Sequence, residues 1–308
     1  HYEVIEHILL YRTYQKLNST YVEGLLKAIS EDGRIHSTFN QTETRTGRIS
    51  SGEPNLQNIP VRTELGSRLR KYFVAPQGSV LLDADYSQTE LRILASISGD
   101  KHMIEAFKAG EDIHRATASR IFDVPMEKVS AQLRSRAKAV NFGIVYGQQA
   151  FGLSQSLGIP FGEAKEMIER YFEAYPGVRA YLDRTIAEAK EKGYAETMFG
   201  RKRHIPELKA ANATQRGFGE RTAMNHPMQG SAADIIKLAM TEVQRRIMER
   251  GFEAKLLLQV HDELDFSVPE GEIEELSAIV KDVMEHIVDL RVPLDVDVSY
   301  ADNWAEAH

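Results

Sequence analysis

The sequence predicts an α+β fold, a small antiparallel sheet joined to a mostly helical region. Three observations carry this. A short apolar strand, Ser79-Val80-Leu81-Leu82, runs into Asp83-Ala84-Asp85-Tyr86-Ser87. Two further strands, Lys255 to Val260 and Leu264 to Val268, flank a tight turn at His261-Asp262-Glu263. Between them, from about residue 101 to 195, the apolar side chains recur mostly at helical spacing.

From the N-terminus, Val4, Ile5, Ile8 and Leu9, then Leu17, Tyr21 and Leu25, predict one or two helices. Residues 30–62 are rich in Ser, Thr, Asn, Gly and Pro, and a structureless stretch of this length inside a compact domain is usually functional. Leu91, Ile93 and Leu94 start a helix after the first acidic strand end. Asp112 has the chemistry of an N-cap, Arg134 to Tyr146 has helical spacing, and Phe161 to Lys192 forms one long amphipathic pattern. A further helix is expected after Gly230, with Pro227 bending or beginning it.

Composition excludes several classes. The 308 residues are 42% hydrophobic and 27% charged, an ordinary globular balance that excludes disorder for the bulk. With no Cys there is no disulfide framework, cysteine zinc site or thiol nucleophile, which fits a reducing interior. No run of 18 apolar residues is present, and the start has no signal-peptide character; His1 in place of an initiator Met points to a fragment. The formal charge of −7 divides unevenly: residues 262–308 hold 14 Asp/Glu against 2 Lys/Arg, so residues 1–260 are net +5. Such asymmetry marks a polyanion-binding region beside an acidic one.

Two acids at strand ends, Asp85 and Asp262, carry the chemistry. Either alone serves as well to cap a turn. Held side by side, two Asp carboxylates are what Mg²⁺ asks of a protein, since it keeps its other positions for water and substrate phosphates. Two such ions suit an in-line phosphoryl displacement. On the helix around residue 134, Arg134, Lys138 and Phe142 share one face, with Tyr146 a turn further. Arg134, Arg136 and Lys138 are the only charges from Val129 to Gly162. An Arg fork and a Lys about one turn apart match successive phosphates of a nucleoside triphosphate; the bland alternative is a solvated basic face with Phe142 in the core. Arg48, Asn55, Gln57 and Asn58 in the polar stretch, and Arg221, Asn225 and Gln229 at four-residue spacing, offer amides and guanidiniums suited to the minor groove of a duplex of any sequence. Arg201-Lys202-Arg203-His204 is either a phosphate contact or a solvated quartet.

Together these motifs resemble the polymerase module of family A DNA polymerases, the bacterial DNA polymerase I type. Asp85-Tyr86-Ser87-Gln88-Thr89-Glu90-Leu91-Arg92 is similar to that family's motif A, Arg134 to Gly147 to its motif B, and Gln259-Val260-His261-Asp262-Glu263-Leu264 to its motif C. Thr46-Gly47-Arg48, Pro54 to Arg62 and Asn225 to Asp234 match as well, so the resemblance spans essentially the whole chain.

The resemblance implies a template-directed DNA polymerase that adds deoxynucleotides to a primer 3′-OH by two-metal nucleotidyl transfer with pyrophosphate release. Asp85 and Asp262, with the Tyr86 carbonyl, would bind two Mg²⁺ ions, for which Mn²⁺ can substitute, and Glu263 would support them. Lys138 would act in catalysis and, with Gln88, His114 and Arg134, contact the triphosphate. Phe142 would pack on base and sugar, Tyr146 would lie at the template position, and Glu90 would exclude a ribose 2′-OH. Arg48, Asn55, Gln57, Asn58, Arg221, Asn225, Gln229 and His261 would hold primer–template DNA. The implied organisation is a right-hand architecture: the end of a thumb and a junction helix (1–28), a first part of the palm (29–100), fingers (101–220) and a second part of the palm (221–308). The expected protein is a cytoplasmic, nucleoid-associated monomer with no membrane partner. Thr89 departs from the Ile usual in the family. With little thumb and no exonuclease-like domain in the sequence, no proofreading and a weak grip on duplex are expected. The alternatives are a single-subunit RNA polymerase, against which Glu90 argues, a two-metal nuclease, which leaves Arg134, Lys138 and Phe142 without a role, and an inactive primer–template-binding fragment.

Overall fold

A computed structural model of the chain describes residues 2–60 and 64–308. His1 and the Val61-Arg62 end of the polar segment lie outside the described residues. The N-terminal helix α1 (Glu3–Lys16) continues through a π-helical stretch (Leu17–Glu23) into α2 (Gly24–Lys27). The polar segment is not structureless. It folds as a short hairpin, β1 (Thr38–Asn40) with β2 (Ser50–Gly52), and a helical turn at Leu56–Asn58 whose Gln57 amide is capped by the Asn55 side chain. After α3 (Glu64–Arg70), strand β3 runs from Ser79 to Tyr86. It therefore extends past the apolar run, and Asp83 and Asp85 lie within the strand rather than beyond its end. Pairing explains this, because β3 follows a neighbouring strand residue for residue as far as Asp85.

Helices follow: α4 (Thr89–Ser98), α5 (Lys101–Lys108), α6 (Ile113–Phe122), α7 (Ala131–Val145), α8 (Ala150–Leu157), α9 (Phe161–Ala174) and α10 (Pro176–Lys192). The single amphipathic pattern from Phe161 to Lys192 is thus two helices. Tyr175 is held out of the helical region (φ −127°, ψ 68°), as a residue before proline tends to be, and Pro176 restarts the helix where its missing N–H costs nothing. A small hairpin, β4 (Tyr194–Glu196) with β5 (Lys202–His204), leads to α11 (Ala213–Arg250). That helix starts well before Gly230 and contains Pro227 in its interior: one lost backbone hydrogen bond does not stop a 38-residue helix. The chain ends with β6 (Lys255–Val260), β7 (Glu263–Pro269), α12 (Ile273–His286), β8 (Val296–Ala301) and α13 (Trp304–Ala307).

The chain forms two compact units. The first holds the described residues up to Asp85, Met240–Val283 and Val296–His308; the second holds Tyr86–Ala239 and Met284–Asp295. The first unit is built on a four-stranded sheet in the order β6-β7-β3-β8. The antiparallel register of β3 with β7 sets Val80 against Val268, Leu82 against Phe266 and Ala84 against Leu264. All six are buried, so this face is apolar. Alternation sends the intervening residues to the other face, where Leu81 meets Ser267, Asp83 meets Asp265 and Asp85 meets Glu263. Leu81 joins a cluster of Leu56, Ile59, Val260, Trp304 and Ala307, and that burial anchors the polar segment. Trp304 stands edge-on to Phe73 at 5.5 Å, with the Arg70 guanidinium 3.9 Å from its ring centre.

In the second unit, α6 and α7 pack around a buried polar network. Asn141 exchanges hydrogen bonds with Thr117, whose hydroxyl also meets the Tyr175 hydroxyl at 3.0 Å. Among the described residues, no helix is long and apolar enough to cross a membrane.

Candidate functional site

The hairpin joining β6 to β7 turns in two residues, His261 and Asp262. His261 takes a left-handed conformation (φ 55°), which costs a non-glycine residue about 1 kcal/mol and recurs at functional turns. The turn places Asp262 beside the β3–β7 face that carries Asp85 and Glu263. Five carboxylates therefore gather in this unit: Asp83, Asp85, Asp262, Glu263 and Asp265. Burial first, and then the charges of Asp262, Glu263 and Asp83, push the Asp85 carboxyl up to about 8. Asp262 is raised by burial and by Glu263, against the pull of its own backbone N–H, His261 and Arg48. Burial also raises Asp83 and Asp265. The facing cations are Arg70, whose Nη1 is 3.7 Å from Glu263, and His308, pushed up to about 10 by hydrogen bonds to Asp83 and Glu263. A carboxylate that resists ionisation because like charges crowd it is relieved by a divalent cation, and the oxygen donors of Asp85 and Asp262 suit a hard ion such as Mg²⁺.

The polar segment abuts this face. Gln57 Nε2 donates to the carbonyls of Ile49 (3.2 Å) and Gln259 (2.9 Å), and Gln259 Nε2 donates to the His261 carbonyl. Gln57, predicted as a DNA contact, is thereby tied to the turn that bears Asp262. Arg48 is half-buried, and its charge bears on Asp262. Asn55 is used as a cap, while Asn58 is exposed and its carbonyl accepts from the Tyr21 hydroxyl.

The second unit holds the remaining predicted residues. Tyr86 is buried and its hydroxyl donates to the Met284 carbonyl, so the side chain is occupied structurally. Gln88 is the N-cap residue of α4 in a left-handed conformation (φ 58°), and Glu90 lies half-buried in the first turn. On α7, Lys138 Nζ is 5.9 Å from the Phe142 ring centre, and Phe142 lies 5.7 Å from His114 and 6.4 Å from Tyr146, to which it is nearly parallel. The predicted face of α7 thus exists, with Lys138 and Tyr146 exposed and Phe142 only half-buried. Asp112 caps α6 by accepting from the His114 and Arg115 amides, and also accepts from Arg134 Nε at 2.6 Å. Buried His114 is pushed down to about 4, chiefly by burial, with Arg134 and Lys138 adding to it and Asp112 opposing. Asn141 Nδ2 lies 3.0 Å from its Nδ1, which fixes that nitrogen as an acceptor and leaves the proton of the neutral ring on Nε2.

Arg221, Asn225 and Gln229 are half-buried on α11. Asn225 Nδ2 donates to the Val145 carbonyl at the end of α7. Gly147 (φ 66°) completes that end, where a Cβ would stand 3.1 Å from Arg221 Cα. In the basic quartet, Arg201 is bound through two nitrogens to the buried Asp234 carboxylate while its own side chain stays exposed.

Sequence reasoning assigned no role to Asp83, Asp265, Arg70, Gln259, Asn141 or His308. A signal for two of them was present: Asp83 with Asp85, and Glu263 with Asp265, are spaced two apart, which on strands puts each pair on one face.

A helix-rich α+β chain with an acidic antiparallel hairpin places this protein in the class of right-hand polymerase domains. A solved POL domain of Pol1 from M. smegmatis, in complex with DNA primer-template and dNTP, superposes with a TM-score of 0.94 at 50% identity, covering 98% of this chain and 54% of that one. The chain belongs to DNA polymerase family A, whose family model matches residues 1–306. Relatives include DNA polymerase I of Geobacillus stearothermophilus (53% identical over 309 residues) and of Lactococcus lactis subsp. lactis (52% over 305), and the thermostable DNA polymerase I of Thermus aquaticus (49% over 305). Each alignment covers at least 99% of this chain, which spans only 35–36% of the length of these relatives.

Proposed function

We propose that this chain is a template-directed DNA polymerase that extends a primer 3′-OH with deoxynucleotides and releases pyrophosphate. The observation that carries this reading is the acidic β3–β7 face, where Asp262, in the adjoining turn, lies close enough to Asp85 to oppose its ionisation. Asp85 and Asp262, with the Tyr86 carbonyl, would hold Mg²⁺, and Glu263 would support them. When bound, the ions supply activation of the primer hydroxyl and stabilisation of the leaving pyrophosphate.

The protein's own groups do the rest. Lys138 offers a point charge and Arg134 a fork, oriented by Asp112, for the triphosphate. Neutral His114 presents an Nε2–H donor to it without adding charge, and Gln88 a side-chain amide. Phe142 offers its half-exposed ring to the base and sugar, and Tyr146 stacks one turn on, at the template position. Glu90 fills the space a ribose 2′-OH would need. Arg48, Asn55, Gln57, Asn58, His261, Arg221, Asn225 and Gln229 face primer–template DNA through contacts that carry little sequence information. In this reading residues 1–28 are the end of a thumb and its junction, 29–100 and 221–308 the palm, and 101–220 the fingers. Family membership and the M. smegmatis complex support the assignment of DNA and dNTP as ligands.

Mg²⁺-dependent primer extension by the chain tests the reading, with Asp262→Asn as control. Extension that disappears in the variant supports it. Extension unchanged by Asp262→Asn overturns the carboxylate assignment, and primer–template binding without extension by the unsubstituted chain identifies an inert binding module instead.

A further inference from the structure

Two residues along the strands from Asp85 and Glu263, and so on the same face, Asp83 and Asp265 stand directly opposite each other, each 3% exposed. Like charges opposed across a sheet are destabilising, and buried ones more so. Asp83 Oδ2 and Glu263 Oε2 bracket His308 Nδ1 at 3.4 and 3.1 Å. Arg70 Nη1 stands 3.7 Å from Glu263 Oε1. Asp265 is different: both of its carboxylate oxygens are buried, and neither accepts a hydrogen bond among the described residues.

We propose that Asp83, Glu263, Asp265 and His308 form an additional cation site, separate from the Asp85 and Asp262 pair, that takes one divalent transition ion of the Mn²⁺ class. One ligand atom each from Asp83, Glu263 and His308 already lies within 4.8 Å of the others. Two donors on opposite sides of an ion with bonds of about 2.1 Å stand roughly 4.2 Å apart, so small side-chain rotations bring these three onto one ion, and Asp265 joins them from its place opposite Asp83 in the sheet. Charge counting agrees. Three carboxylates against Arg70 leave two negative charges, which one divalent ion neutralises while His308 contributes a lone pair as a neutral ligand. With a protonated His308 in its place, one buried carboxylate stays uncompensated, and Asp265 is the one without a hydrogen bond. Imidazole among carboxylates favours Mn²⁺ or Zn²⁺ over Mg²⁺ or Ca²⁺. The site stands whether or not the chain extends primers.

Mn²⁺ binding followed by electron paramagnetic resonance tests it. In the full chain carrying Asp85→Asn and Asp262→Asn, one Mn²⁺ per chain remains, and adding His308→Ala or Asp265→Asn weakens it at least roughly tenfold. In the otherwise unsubstituted chain, His308→Ala lowers the number of bound Mn²⁺ by one, which keeps the test independent of how the double variant folds. No Mn²⁺ bound by the double variant at millimolar concentration, or affinity unchanged by His308→Ala, overturns the proposal.

Discussion

Asp112 binds Arg134 with the same carboxylate that caps α6: Oδ1 accepts the His114 and Arg115 amides, and Oδ2 accepts Arg134 Nε at 2.6 Å. Helix start and guanidinium orientation are therefore one device. Asp112→Asn keeps a capping oxygen but loses the charge, so it is expected to raise the KM for dNTP several-fold while leaving the melting temperature nearly unchanged. Asp112→Ala loses both, adding a stability loss of about 1 kcal/mol. Steady-state extension kinetics beside urea unfolding separate the two effects, and equal KM values for Asp112→Asn and the unsubstituted chain count against Asp112 as a positioning residue.

His114 should titrate unlike an ordinary histidine. Its pKa is about 6.5 in the unfolded chain and about 4 in the native one, so the unfolded state takes up the proton first as pH falls. Stability attached to this residue is complete above pH 6.5 and is lost as pH drops from there towards 4. Nitrogen-15 NMR is expected to show the Nε2–H tautomer unchanged from pH 7 to pH 5. Charging near pH 6 would contradict the Asn141 contact as the structure has it. Asn141→Leu should cost about 2 kcal/mol, since Thr117 loses a buried partner.

The acidic face should trade stability against charge. Asp265→Asn replaces a buried, unpartnered carboxylate with an amide able to donate to its neighbours, and is expected to raise the stability of the metal-free chain by about 1–2 kcal/mol. Arg70→Met removes the buried cation beside Glu263 and its contact over Trp304, for an expected loss of about 3 kcal/mol. Urea unfolding in the presence of a chelator reads both, and the same sign for the two changes would refute this account.

Thr89 lies at the start of α4, 2% exposed, with a hydroxyl that has no hydrogen-bond partner among the described residues. Thr89→Val keeps the shape and removes the unsatisfied oxygen. A gain of about 1 kcal/mol in unfolding free energy is expected, and a loss would show that the hydroxyl is satisfied in solution.

Much of this was legible beforehand because local chemistry was strong. Asp112 as a cap, the α7 face from Arg134 to Tyr146, and the acidic turn at Asp262 all follow from spacing of a few residues. What escaped depends on pairing between distant segments. That Asp83 would meet Asp265 is set by the β3–β7 register, and His308 reaches both Asp83 and Glu263 only through the tertiary fold. Gln259 was hidden for the same reason, because its task is to link Gln57 to the His261 carbonyl. The break before α10 was visible as Pro176, but continuous amphipathic periodicity masked it.

Strand β3 works as a reading frame. Val80, Leu82 and Ala84 spell the apolar face, and Leu81, Asp83 and Asp85 spell the other. A one-residue deletion or insertion between Leu81 and Ala84 would transpose the two words, turning carboxylates into the apolar interior and alkyl groups towards Glu263. Substitutions within β3 can be graded in kilocalories, but a change in its length should be all or nothing. Insertion scanning should therefore find these few peptide bonds silent among survivors, and the loop at Gly110-Glu111, between α5 and α6, permissive.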